Sequence, residues 1–121
     1  MDFDGAVEAH KAWKGRLFVY IGNPDGSFTH STVTDDTACE LGKWIYGGAT
    51  AAYRQEAEFV ELKIAHAQFH LEAAKVIWKV NHGEETSEEM LVGSRSTYAI
   101  ASDEVISRIL RMKERFPAGT P

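Results

Sequence analysis

The chain has 121 residues, room for one ordinary domain, and its 44% hydrophobic content against 26% charged is that of a folded chain with a real core. The 13 basic and 18 acidic side chains leave a net charge of -5, which argues against a surface that must neutralise many phosphates, so nucleic acid is not an expected partner. A single cysteine excludes an intrachain disulfide, and the acidic Met-Asp-Phe-Asp start with no continuous apolar run offers neither a secretory signal nor a membrane span, so the expectation is a soluble cytoplasmic protein.

From Asp4 to about Ile21, Phe3, Val7, Leu17 and Ile21 are joined at helical spacing by His10 and by Trp13 or Lys14, which predicts a first helix. Leu17 to Ile21 is rich in β-formers, and Asn23-Pro24-Asp25-Gly26 is a turn signal that could close a hairpin with Phe28 to Val33; helix followed by a long polar loop is the favoured alternative. Thr34 to Thr37 offer several N-caps, and Thr37 with Glu40 has capping-box spacing, so a short helix carrying Cys39 is expected to run to about Tyr46. Between Thr50 and Asn81 there is no glycine or proline, and Phe59, Leu62, Phe69, Ala73, Val76, Ile77 and Val80 step by three and four, which predicts the longest helix. Thr86 with Glu89 has capping-box spacing too and opens a last helix through Tyr98, Ala101, Val105, Ile109, Met112 and Phe116, with 117–121 as a frayed tail. Helices that each need a partner for an apolar stripe imply an all-α fold, an antiparallel four-helix bundle whose cysteine-bearing member is short, as a single domain over 1–121.

The gap in the longest stripe, between Leu62 and Phe69, is filled by His66, with His70 one turn further on the same face. Two imidazoles four apart on a helix can clamp one metal ion, although the spacing by itself is common. His10 occupies a core position on the first helix and Cys39 sits near Leu41, Trp44 and Ile45, so three imidazoles and a thiol are available. Burying three histidines without a shared partner would leave ring nitrogens unsatisfied at roughly 1 to 3 kcal/mol each, a cost one Zn²⁺ ion removes. Four protein ligands leave no open position for water or substrate, so the set reads as structural or regulatory and not as a hydrolase site. His30 in the polar loop and His82 at a helix end are expected to be solvated or capping, Trp78 to be core packing, and Glu84, Glu85, Glu88 and Glu89 to complement a helix dipole. A Cys39 nucleophile lacks any identifiable orienting group.

The strings His10-Lys-Ala-Trp13-Lys, Ala38-Cys39-Glu-Leu41-Gly42-Lys-Trp44 and His66-Ala-Gln-Phe-His70 resemble, in that order and spacing, the bacterial chemoreceptor zinc-binding domain, often called CZB, and the resemblance extends from about Ala6 to Phe116. It implies a helical bundle holding one zinc through His10, Cys39, His66 and His70, with Trp13, Gly42 and Trp44 shielding or packing around the site. It also implies a regulatory input that responds to zinc or to oxidants at the zinc-bound cysteine, in chemotaxis or cyclic-di-GMP signalling. This chain reads as a free-standing member, with a chemoreceptor or diguanylate cyclase as a partner in trans and a homodimer supported by Ile106 and Leu110, which widen the apolar face of the last helix. The competing reading is a DinB-like metal-dependent bundle enzyme with three histidine ligands and an open corner.

Overall fold

The structure is a computed structural model, and it describes residues 1–84 and 87–117. The first helix, α1, spans Phe3–Gly22 and starts where the Asp2 carboxylate accepts the Gly5 N–H at 2.7 Å. It runs straight through the β-formers at 17–21 because Leu17 and Tyr20 are buried there, and packing outweighs local propensity. It stops just before Pro24, which disfavours helical backbone in the residue ahead of it. No strand forms among the described residues, so of the two alternatives for 17–33 the helix is the one present.

The connection that follows is more ordered than the expected loop. Gly26 turns the chain at φ +84°, and the Phe28 ring then stacks on Tyr20 at 5.0 Å and on Trp13 at 6.1 Å. Asn81 Nδ2 donates to the Phe28 carbonyl at 2.8 Å, and the Tyr20 hydroxyl, which shares its one proton with Asn81, lies 3.1 Å from the same oxygen, so the segment is tied to the ends of two helices. A short helix, α2, then covers His30–Thr34 with a Thr29/Thr32 capping box; His30 opens this helix instead of lying in a loop, and it is exposed. The expected Thr37–Glu40 capping box is not made. The Asp35 carboxylate takes the Thr37 N–H at 2.9 Å and its hydroxyl at 2.6 Å, and Cys39 becomes the N-cap of the next helix, α3, Glu40–Ile45.

The long helix, α4, spans Ala57–Asn81 and begins later than the apolar pattern suggests. A 3₁₀ turn, Gly48–Tyr53, occupies the expected first turns: buried Thr50 donates its hydroxyl to the Ile45 carbonyl at 2.8 Å, and Tyr53 packs its ring on Phe3, Phe59 and Phe116. The last predicted helix is two. A short helix, α5, covers Glu88–Val92 with Ser87 as its N-cap, and Thr86, the predicted cap, lies outside the described residues, as do 118–121 of the predicted tail. Gly93 breaks the helix in extended backbone, where a Cβ would meet the Glu89 carbonyl at 2.3 Å. Ser96 then caps α6, Thr97–Arg115, by accepting the Ala99 N–H at 3.1 Å.

The three long helices make the body of an all-α bundle. α6 runs against α1, since Lys113 pairs with Asp4 and His10 meets Ser102, and against α4, since Arg108 pairs with Glu61 and Thr97 meets Glu72. α1 and α4 run in the same direction: Phe3 lies by Tyr53 at one end, and Tyr20 donates to Asn81 at 2.6 Å at the other. The short helices between them carry the chain back, and they fill the remaining side of the bundle. The predicted stripe residues Phe59, Leu62, Phe69, Ala73, Val76 and Ile77 on α4, and Tyr98, Ala101, Val105, Ile109, Met112 and Phe116 on or just after α6, are all buried. Trp78 is not core packing: it is 43% exposed and stacks on His82, whose Nδ1 donates to the Trp78 carbonyl at 2.8 Å and closes α4. Leu110 is exposed on α6, whereas Ile106 packs against the core, so the widened face is narrower than the sequence implies.

Candidate metal centre

Two residues of α4 and the N-cap of α3 converge between α1 and α2. Cys39 Sγ lies 3.3 Å from His66 Nε2 and 3.4 Å from His70 Nε2, with the two imidazole centroids 4.6 Å apart. Bonds of ~2.3 Å to sulfur and ~2.05 Å to nitrogen at tetrahedral angles place such ligand atoms about 3.5 Å apart, so the observed spacings suit one zinc ion. Cys39, His66 and His70 form the group that could hold a metal among the described residues.

Each side chain is aimed by a distinct contact. The His70 Nδ1 donates to the Val33 carbonyl of α2 at 2.9 Å. A carbonyl only accepts, so Nδ1 carries the proton and the Nε2 lone pair faces the cysteine sulfur, the arrangement a metal-ligating histidine needs. His66 is fully buried, and its Nδ1 has no hydrogen-bond partner; the nearest charge is Asp36 Oδ2 at 3.9 Å. The Asp36 carboxylate is itself fixed by the Tyr46 hydroxyl at 2.9 Å. An orphaned nitrogen on a fully buried ring costs roughly 1 to 3 kcal/mol; it is the Nδ1, and the nitrogen that faces the cysteine sulfur is Nε2.

The Cys39 sulfur accepts the Gly42 N–H at 3.2 Å, as an N-cap does. Gly42 is required by space: a Cβ there would sit 1.9 Å from the Asp36 carbonyl oxygen, so the loop before the cysteine presses directly on α3. Burial pushes the Cys39 thiol above its ordinary range, with the Gly42 and Leu41 N–H groups opposing that rise. Burial also pulls His66 down to about 4, helped by the neighbouring His70, and lowers His70. Without a metal the centre is therefore uncharged at neutral pH, and the Cys39 thiol is the group that both Nε2 atoms meet.

His10 is buried in the same region and lies 4.6 Å from the Phe69 ring, but its Nε2 is 2.9 Å from Ser102 Oγ and it stands outside the Cys39–His66–His70 group. Burial lowers it to about 3, with smaller contributions from Lys14, His66 and His70. Trp13 lies 4.9 Å from the His70 ring and covers it, whereas Trp44 turns to Phe3 at 5.9 Å. Asp36, the Val33 carbonyl and Ser102 were not singled out from the sequence. Asp36 reads there as one of several caps, and a backbone carbonyl or a core serine carries no pattern of its own.

A helical bundle with a half-buried thiol and two buried imidazoles from neighbouring elements within 4.8 Å of one another defines a metal-holding regulatory module more readily than a catalytic cleft. The family model described as "Chemoreceptor zinc-binding domain" matches residues 10–77, more than half of the chain, and the chain belongs to that family. Zinc is the cofactor of that domain, which is sensory and non-catalytic. Nothing among the curated proteins or the solved structures matches the chain. No helix is long and apolar enough to cross a membrane among the described residues.

Proposed function

We propose that this chain is a cytoplasmic sensory input domain that holds one zinc through His10, Cys39, His66 and His70, and that it responds to zinc or to oxidants through Cys39. The observation that carries the reading is the convergence of the Cys39 sulfur on two Nε2 atoms at 3.3 and 3.4 Å, one of them on a ring whose other nitrogen is clamped to Val33. Zinc, when bound, keeps the cysteine sulfur deprotonated at neutral pH.

The chain's own residues supply the sensing. Cys39 is half-buried and lines a cavity of about 280 Å³ together with Trp13, Arg16, Phe28, Val33 and His70, so a peroxide-sized oxidant reaches the sulfur. The sulfur attacks one peroxide oxygen, the O–O bond breaks, hydroxide leaves, and Cys39 becomes a sulfenic acid, a poorer ligand than a thiolate. The Tyr46–Asp36 bond and the tight Gly42 contact tie α3 to its own loop from Asp36, and the sulfur ties this segment to α4, so weakening the sulfur's bonds loosens the segment while α1, α4 and α6 stay packed. The output is a chemoreceptor or a diguanylate cyclase, and a homodimer is the expected assembly.

Metal content by elemental analysis and native mass spectrometry, on the wild type and on Cys39→Ala, tests the reading. One zinc per chain that is sharply weakened in the variant, and is released from the wild type by hydrogen peroxide, is expected. Zinc retained undiminished in Cys39→Ala would overturn the four-ligand site and favour three histidines with an open corner.

A further inference from the structure

Among the described residues the His10 ring has one hydrogen-bond partner, and it comes from α6. Ser102 Oγ of α6 lies 2.9 Å from His10 Nε2, with both side chains in the core, at 0% and 2% exposure. Ser102 stands among Tyr98, Ala101 and Val105, where an alanine would satisfy the packing and a hydroxyl is costly unless bonded.

A neutral imidazole has one N–H and one lone pair, so whichever nitrogen is tied down decides what the other can do. His70 shows the division directly: its Nδ1–H is given to the Val33 carbonyl and its Nε2 is left for the centre. We propose that Ser102 is the positioning residue for His10, accepting the Nε2–H so that the Nδ1 lone pair is free for the metal. This rests on the reading of His10 as the fourth ligand. Five elements then have a defined part: α4 supplies two ligands, α1 and the N-cap of α3 one each, α2 orients His70 through a carbonyl, and α6 supplies no ligand but orients His10 through a hydroxyl.

Three measurements test it. The ¹⁵N imidazole spectrum of the zinc-free wild type reads the His10 tautomer, and the Nε2–H form is expected; the Nδ1–H form would overturn the proposal. Zinc affinity by chelator competition is expected to fall about 10- to 100-fold in Ser102→Ala, with the cobalt(II) absorption bands shifted. Affinity equal to the wild type, or tighter because the hydroxyl had competed with the metal for Nε2, would sink it. His10→Gln separates the two claims. If it binds zinc like the wild type, the four-ligand reading itself fails; if it loses affinity while Ser102→Ala does not, only the role of Ser102 fails.

Discussion

Replacing Gly42 by alanine is the most direct test of how the loop and α3 hold the cysteine. The new Cβ would stand 1.9 Å from the Asp36 carbonyl oxygen, 2.9 Å from its carbon and 3.1 Å from Thr37 Cα. These neighbours are backbone, not the far end of a flexible side chain, so no rotamer change relieves the contact. An ordinary carbon–oxygen approach is about 3.3 Å, so the carbonyl and α3 must separate by roughly 1.4 Å. Cys39 lies between the two and is the N-cap whose sulfur accepts the Gly42 N–H, and it moves with one of them. A displacement of that size takes the sulfur out of register with both Nε2 atoms. The expected result is a loss of zinc affinity of at least about 10-fold, by analogy with disturbed ligand-orienting contacts, together with about 1 to 3 kcal/mol of lost stability from overpacking. Gly48→Ala is the control, because a Cβ there meets nothing within 4 Å, and it should leave both quantities unchanged. Chelator competition and urea denaturation with and without zinc read the two effects. A Gly42→Ala protein that binds zinc within about threefold of the wild type would refute the argument that this contact sets the cysteine's position.

Two other outcomes follow from the ionisation of the centre. Burial holds the Cys39 thiol protonated at pH 7 and holds the histidines neutral, so zinc binding should release about one proton per chain, all of it from sulfur; calorimetry in buffers of different ionisation enthalpy measures this, and a count near zero would mean that the sulfur does not ligate. In the zinc-free protein, His10 and His66 titrate at about 3 and about 4 when folded but near 6.5 when unfolded, so below pH 6.5 the unfolded chain binds protons that the folded one refuses. Their contribution is intact above pH 6.5 and is lost progressively as the pH falls toward 4, on the order of 5 kcal/mol for the pair, and a denaturation midpoint that stayed level from pH 7.5 to 5 would contradict it.

The helical class, the buried faces of α1, α4 and α6, and the presence of three imidazoles and a thiol at core-facing or adjacent positions were all legible from the order of residues, because a 3.6-residue period and a missing apolar position need no knowledge of what lies opposite. Boundaries were less so. The Thr50 to Tyr53 stretch looks helical by composition, yet its backbone is set by Thr50 reaching carbonyls at the end of α3 and by Tyr53 meeting Phe3 and Phe116 from distant parts of the chain. Cys39 was visible as a candidate ligand but not as a cap, since its role as N-cap follows from Asp35 having taken Thr37. What only the tertiary structure decided is which groups stand against each imidazole. The Val33 carbonyl behind His70, the Asp36 carboxylate beside His66 and the Ser102 hydroxyl on His10 come from residues 37, 30 and 92 positions away in the chain. A contact over that distance leaves no local pattern: ligand types are a property of sequence, but their orientation is a property of the packed elements that surround them.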